Sequence, residues 1–343
     1  MKREFLDILR CPVCKGKELR LEETGSDDVE IRTGKILCSV CGVSYAVDSG
    51  MADFFKDSGV DVKREQEAVD REEYLWDAEG ERYRINKANI EKFREQFLAL
   101  PEGDGSHFFK RGGCFQPIAE GAHRFYSTLE HMQLKDGDKV LALGDGFGYA
   151  SYKFAQRGSM VVALDISSYL LASDLYIKDA YFDRVFSDMH DMPFKDALFD
   201  IVYCSAVLHH SKELEKVFFE IRRVLKPGGR LFVINESSRG VFERVNPLFE
   251  DLKKRGYSDT AYTIPEWVKA ARSAGFKGIR LELLSIADDY IARQINKNVR
   301  PGGTLHLAYF LKRHQWLERA LLFLLKYPRI LFRPKSWRIV CWK

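Results

Sequence analysis

The stretch Val140–Gly148, VLALGDGFG, constrains the chain more than any other. A strand-like apolar run opens into a loop with glycine at every second position, Gly144, Gly146 and Gly148. The helix-compatible YASYKFAQRG follows, then a second apolar run, SMVVALDIS, which brings Asp165 to its tip. Strand, glycine loop, helix and strand open a βαβ unit. An acid about 20 residues beyond such a loop stands where ribose hydroxyls are bound. A dinucleotide fingerprint needs a third glycine at position 149, and this chain has Tyr149 there.

The downstream order extends the pattern. VFSDMHDMPFKDALFDIVYCSAVLHH supplies a third strand ending near Asp188 and a fourth through Ile201, Val202 and Tyr203. LEKVFFEIRRVLKPGGRLFVINE gives a helix, a Pro-Gly-Gly turn and an apolar strand ending at Glu236. FKGIRLELLS and GTLHLAYFLKR read as a closing pair of strands. Alternating strands and helices predict an α/β, doubly wound sheet whose ligand lies beyond the C-terminal strand ends.

These strings closely resemble the class I S-adenosylmethionine-dependent methyltransferases, nearest to the branch that methylates quinones and other small molecules. GDGFG matches the glycine loop, ALD the ribose acid, SDMHDMPF the adenine segment, and FDIVYCSAVLHH and VLKPGGRL the fourth and fifth motifs. The resemblance runs from about 131 to 313 and implies a seven-stranded Rossmann-like sheet with S-adenosyl-L-methionine as cofactor. It places Gly144, Asp145, Gly146 and Gly148 in the cofactor loop, with Gly144 and Gly146 against the amino-acid part. Asp165 and Ile166 fall at the ribose, Asp188 and Met189 at the adenine, and Ser205 at the end of strand four. His209 and His210 follow that strand where an acceptor approaches. Either is a candidate base if the acceptor must lose a proton, since imidazole titrates near neutral pH. One position departs from the pattern. Ala142 stands where relatives often carry an acid that reaches the cofactor's amino group, and Asp145 is the nearest substitute. A non-catalytic domain is therefore a further reading. Cys204 reads as a buried small residue, and no Asn-Pro-Pro-Tyr motif is present to grip an exocyclic amine.

Cysteine usage defines a second module. Of seven cysteines, four form two CxxC pairs, Cys11 with Cys14 and Cys38 with Cys41. Two such turns close a tetrahedral site with no open position, which suits structural zinc; iron also fits four thiolates. The segment between them alternates apolar and polar residues around a turn, as a β-hairpin does. Residues 4 to 55 resemble the small zinc-ribbon activator subunits of tRNA and protein methyltransferases and their bacterial relatives. The shared features are the leading LDIL, both cysteine pairs and the trailing SYAVDSGMADF.

Four parts are expected: a β-rich zinc ribbon at 1–57, a helical connector and lid at 58–130, the methyltransferase domain at 131–313 and a basic aromatic tail at 314–343. The connector is highly charged, and His107, Arg111, Gly112, Gly113, Gln116 and Arg124 precede the glycine loop, with a helix from about Gln116 to Met132. The tail carries Trp316, Phe323, Tyr327, Phe332, Trp337 and Trp342 among many Lys and Arg, with Glu318 as its only acid. It fits an interfacial segment on a membrane surface, an RNA-binding surface or a helix packed on its own sheet or a second subunit. The net charge of +4 does not by itself demand a nucleic-acid partner. The N-terminal stretch lacks the features of a secretory signal, so a cytoplasmic protein, peripheral at the inner membrane surface if the tail binds lipid, is expected. The sequence thus points to methyl transfer to a small-molecule or lipid-linked acceptor. RNA methylation and a non-catalytic activator subunit are the alternatives, and the oligomeric state is open.

Overall fold

The structure, a computed structural model, describes residues 1–55, 58–72, 74–77, 79–103, 115–296, 303–332 and 336–343. Eleven strands among these residues form one continuous sheet. The ribbon contributes β1 (Leu19–Ser26), β2 (Ile31–Cys38), β3 (Ser44–Asp48) and β4 (Met51–Asp53). The methyltransferase-like part contributes β5 (Lys139–Leu143), β6 (Met160–Asp165), β7 (Asp183–Phe186), β8 (Phe199–Ser205), β9 (Leu225–Ile234), β10 (Gly278–Leu283) and β11 (Trp337–Trp342). In space they run β1-β2-β3-β4-β7-β6-β5-β8-β9-β11-β10. Strands β4, β7, β6, β5, β8 and β9 pair in parallel. The two ends, β1 to β4 and β9-β11-β10, are antiparallel.

The parallel strands read as near-continuous apolar runs because both sheet faces are covered. Val140, Leu141, Ala142 and Leu143 of β5 are all buried, and so is every residue of β6 after Met160. One face packs against α2 (Phe115–Met132) and α3 (Tyr149–Ala155), through Phe125, Leu129 and Phe154. The other packs against α4 (Leu214–Val224) and α5 (Ile264–Ser273), through Val217, Phe218, Ile221 and Trp267. The sequence-based helix near 116–132 is α2. The hairpin expected between the cysteine pairs is β1–β2, in antiparallel register from Leu19↔Cys38.

The ribbon is not a separate bead. Met51, Ala52 and Asp53 pair with Arg184, Val185 and Phe186, so β4 extends the central sheet. Beside this seam the fully buried Arg184 guanidinium is ion-paired to Glu30 of the ribbon and to Asp174. Arg32 reaches the same Asp174 at 2.7 Å. A buried cation is tolerated only when paired and hydrogen-bonded, and here the pairing crosses the seam.

The last strand differs from the expectation. GTLHLAYFLKR is a helix, α7 (Gly303–Arg313), not a strand. Leu305 and Ala308, three residues apart, pack with Ala287 and Ile291 of α6 (Ile286–Asn296), while Leu307, Tyr309 and Phe310 are exposed. That spacing is helical. The closing strand comes from the tail instead. Trp337–Trp342 is buried along nearly its whole length and lies between β9 and β10. Residues Gln315–Phe332 form helix α8. His107, Arg111, Gly112 and Gly113, read as part of a lid, lie outside the described residues.

Candidate functional site

The C-terminal ends of β5, β6 and β8 open into a cavity of about 530 Å³. Its floor is the glycine loop. Gly144 has φ +67° and Gly146 φ +56°, left-handed values that favour glycine. A Cβ on Gly144 would stand 2.1 Å from the Val207 side chain, so the loop is shaped for a residue without one. Asp165 organises the loop. Its Oδ2 accepts from the Gly146 N–H at 2.8 Å, and its Oδ1 accepts from the N–H of Ile166 and of Ser167 and from the Ser167 hydroxyl. The acid at the tip of β6 thereby ties the β5 loop to the β6 loop, beside the switch point between β5 and β8.

Of the residues singled out in the sequence, Gly144, Asp145, Gly146, Asp165, Ile166, Asp188, Met189, Ser205 and His210 line the cavity. Gly148 and His209 do not. Gly148, with φ +85°, lies against Ser173 at the start of α3. His209 is buried behind the wall, where its ring Nδ1–H donates to Glu236 Oε2 at 2.7 Å. Glu236 also accepts the N–H groups of Val207, Leu208 and His209, which fixes the turn after β8. His210 Nδ1 lies 2.7 Å from Glu65 and 3.5 Å from Asp259. Burial works to lower the pKa of its ring, but the two carboxylates prevail and push it up to about 10. Asp188 Oδ1 accepts from the backbone N–H and the ring Nδ1 of His190, whose Nε2 meets the Ser211 hydroxyl at 2.7 Å.

Asp145 differs from an ordinary loop carboxylate. Burial pushes it up to about 8, against the opposing hydrogen bond from Ser151. Its Oδ2 accepts from the Ser151 N–H at 3.3 Å. Ala142 is fully buried, and Tyr203 lies beside it in the β5–β8 register. The Tyr203 ring packs edge-on against Phe154. Its hydroxyl is buried without a hydrogen bond, as are Asn235 Oδ1 and Arg124 Nε, and all three residues line the same cavity. Arg124 is oriented by Asp289 at 3.0 Å, and the Asn235 amide donates to the Ser205 hydroxyl at 2.9 Å. Gln116 instead bonds its own helix at Glu120.

The roof is α1 (Val60–Glu72) together with the first turns of α2. Asp61, Val62, Glu65 and Val69 of α1 and Pro117, Ile118 and Gly121 of α2 face the cavity. Asp70 accepts from the Ser168 hydroxyl at 2.8 Å and pins α1 over the opening. Sequence reasoning missed Glu65, Tyr203, Asn235, Glu236 and Asp259 as members of this region. Glu65 sits in a charged stretch that reads as a solvated spacer, and Asp259 in a loop with no motif. Tyr203 was legible as part of the fourth strand, but its place next to the anomalous Ala142 comes from the strand register.

In the ribbon, the four cysteine sulfurs converge. Cys11 Sγ lies 3.7 Å from Cys41 Sγ and Cys14 Sγ 3.5 Å from Cys38 Sγ. Thiolates on one tetrahedral zinc, at about 2.3 Å each, stand about 3.8 Å apart. The donor set and spacing fit zinc. The glycine cradle and the three unsatisfied polar groups at one end of the cavity likewise fit a ligand with an amino-acid end.

Comparison with known proteins agrees. The Methyltransferase domain family matches residues 141–233, and the Trm112p-like protein family matches residues 2–50. An uncharacterized methyltransferase of Synechocystis is 35% identical over 54% of this chain and 82% of its own length. The demethylmenaquinone methyltransferase of Mycolicibacterium gilvum is 30% identical over 47% of this chain and 70% of its own. The 27-O-demethylrifamycin SV methyltransferase of Amycolatopsis mediterranei is 30% identical over 49% and 73%. By its strand order, glycine loop, four-thiolate cluster and relatives, the chain belongs to the class I S-adenosylmethionine-dependent methyltransferases and carries a Trm112-like zinc ribbon fused ahead of that domain.

Proposed function

We propose that the protein transfers a methyl group from S-adenosylmethionine to a small-molecule or lipid-linked acceptor. The observation that carries this reading is the roofed cavity itself. Apolar side chains of α1 and α2 close it over the loop, which leaves room for a compact acceptor beside the cofactor. The relatives named for demethylmenaquinone and rifamycin methylation support the acceptor class.

In this reading the loop backbone at Gly144 and Gly146 cradles the cofactor, Asp165 holds the ribose hydroxyls, and Asp188 with Met189 flanks the adenine. Tyr203, Arg124 and Asn235 take the amino-acid end, in place of the strand acid that Ala142 lacks. Methyl transfer from a sulfonium is an in-line displacement with a good leaving group. The protein's task is to align the acceptor and exclude water. The acceptor approaches the wall that carries His210, with His209 held behind it by Glu236.

Contact with a membrane surface belongs to the same proposal. No helix among the described residues is long and apolar enough to cross a membrane. Helices α7 and α8 nevertheless expose Phe310, Trp316, Phe323 and Leu324 beside Lys and Arg. Basic residues interleaved with exposed aromatics suit the interface of an anionic bilayer. The Trm112p-like ribbon supports a second reading, RNA as acceptor.

The purified chain, incubated with methyl-labelled S-adenosylmethionine and extract, tests the proposal. Label is expected in the lipid or small-molecule pool. Label confined to RNA would transfer the assignment to the second reading, and no label without cofactor binding would point to an activator subunit.

A further inference from the structure

At and behind the cavity wall, five acid and imidazole side chains from four chain segments face one another. Glu236 takes the Nδ1–H of His209 at 2.7 Å, which turns His209 Nε2 toward Asp259, 3.7 Å from its Oδ1. Next to it, His210 Nδ1 lies 3.5 Å from Asp259 Oδ2 and 2.7 Å from Glu65 Oε1. Glu65 is only 4% exposed, and its Oε1 faces His210 Nδ1 without the geometry of a hydrogen bond. One donor atom from each of His209, His210 and Asp259 lies within 4.8 Å of the others. Lone pairs and carboxylates aimed at one another repel unless positive charge stands between them, either a proton on an imidazole or a metal ion that displaces it. Donors held about 2.1 Å from one ion stand about 3.0–3.4 Å apart, within the span of the separations seen here. The Glu236–His209 pair also has the form in which a carboxylate orients an imidazole toward a metal.

We infer that Glu65, His209, His210 and Asp259 bind a first-row divalent cation. Two imidazoles and two carboxylates suit Mn²⁺, Fe²⁺, Co²⁺, Ni²⁺ or Zn²⁺, in contrast to the soft four-thiolate site of the ribbon. α1 supplies Glu65, the turn after β8 supplies both histidines, and the loop before α5 supplies Asp259. Glu65 and His210 line the cavity, so the ion's remaining positions face it. An acceptor bearing an oxygen donor is the class of molecule that completes the shell. That last assignment rests on the methyl-transfer reading; binding of the ion does not.

The test uses the full chain with its ribbon zinc in place. Mn²⁺, a hard ion that leaves thiolate sites alone, is titrated in and the free ion counted by electron paramagnetic resonance. One Mn²⁺ per chain is expected, with affinity falling at least roughly tenfold in Asp259→Asn and in Glu65→Gln. In the unsubstituted chain the ring-proton signals of His209 and His210 are expected to broaden on Mn²⁺ addition, a readout that needs no variant to fold. No uptake, uptake equal in both variants, or sharp ring signals at saturation would overturn the site. Because S-adenosylhomocysteine binding is measured separately, loss of the metal site and loss of the methyltransferase reading are distinguishable.

Discussion

Tyr203 lies beside Ala142 across the β5–β8 ladder and lines the cavity, with its hydroxyl buried and without a hydrogen bond. The small Ala142 side chain and the large Tyr203 ring share one layer of the core with Phe125 and Phe154. An acid at position 142 would compete for the space that the ring fills. In the proposed cofactor seat, the polar group stands on the neighbouring strand. Tyr203→Phe removes only the hydroxyl and keeps the ring packing. It should weaken S-adenosylhomocysteine binding roughly fivefold, the effect of about 1 kcal/mol for one hydrogen bond. Calorimetric affinity equal to that of the unsubstituted chain would remove Tyr203 from the cofactor seat.

Asp145 gives a pH signature. Its folded-state pKa is raised from 3.8 to about 8 by burial, so the folded chain keeps a proton that the unfolded chain releases near pH 4. The stability penalty is absent below pH 3.8, grows as pH rises toward 8 and then levels off. Asp145→Asn, which keeps an acceptor for the Ser151 N–H, should therefore raise the melting temperature at pH 8 much more than at pH 4.5. Equal shifts at both pH values would show that the carboxyl is ionised in the fold.

The seam between ribbon and sheet is a stability element. Arg184→Met removes one of three cations around Glu30, whose side chain is 0% exposed, and leaves it the Met1 ammonium and Arg32. Breaking a buried pair from one side costs about 3–5 kcal/mol, and the two cations that stay on Glu30 hold the loss to the low end of that range. Urea denaturation should show a loss of that size, and the added Glu30→Gln substitution should recover part of it. A double variant no more stable than the single one would mean that Arg184 acts through packing alone.

Zinc and the methyltransferase sheet should unfold together, because β4 pairs with β7. Removing the ion with a strong chelator, or substituting Cys38→Ser, is expected to lower a single calorimetric transition of the whole chain. Two resolved transitions, with only the lower one sensitive to chelation, would show the ribbon to be energetically separate.

The central sheet was legible because its information is local. Near-continuous apolar runs, the glycine loop with Asp165 and the Pro-Gly-Gly turn each announce one element of a βαβ series. The two cysteine pairs did the same for the ribbon. What escaped was non-local. Trp337–Trp342 is an apolar, β-branched run of strand type, but basic and aromatic neighbours disguised it as surface, and only its insertion between β9 and β10 explains its burial. The run at 303–313 was ambiguous between periods, and partners on α6 decided for helix. In the site, the loop residues were readable from spacing. The roof was not, since Glu65 and Asp259 meet His210 only after α1 and the loop before α5 fold over it.

The most direct measurement is titration of the purified chain and its Asp165→Ala variant with S-adenosylhomocysteine. Asp165 holds the Gly146, Ile166 and Ser167 N–H groups at once and lines the cavity. One site per chain is expected in the parent and no measurable binding in the variant. Binding of equal affinity in both would contradict the placement of the cofactor on this loop.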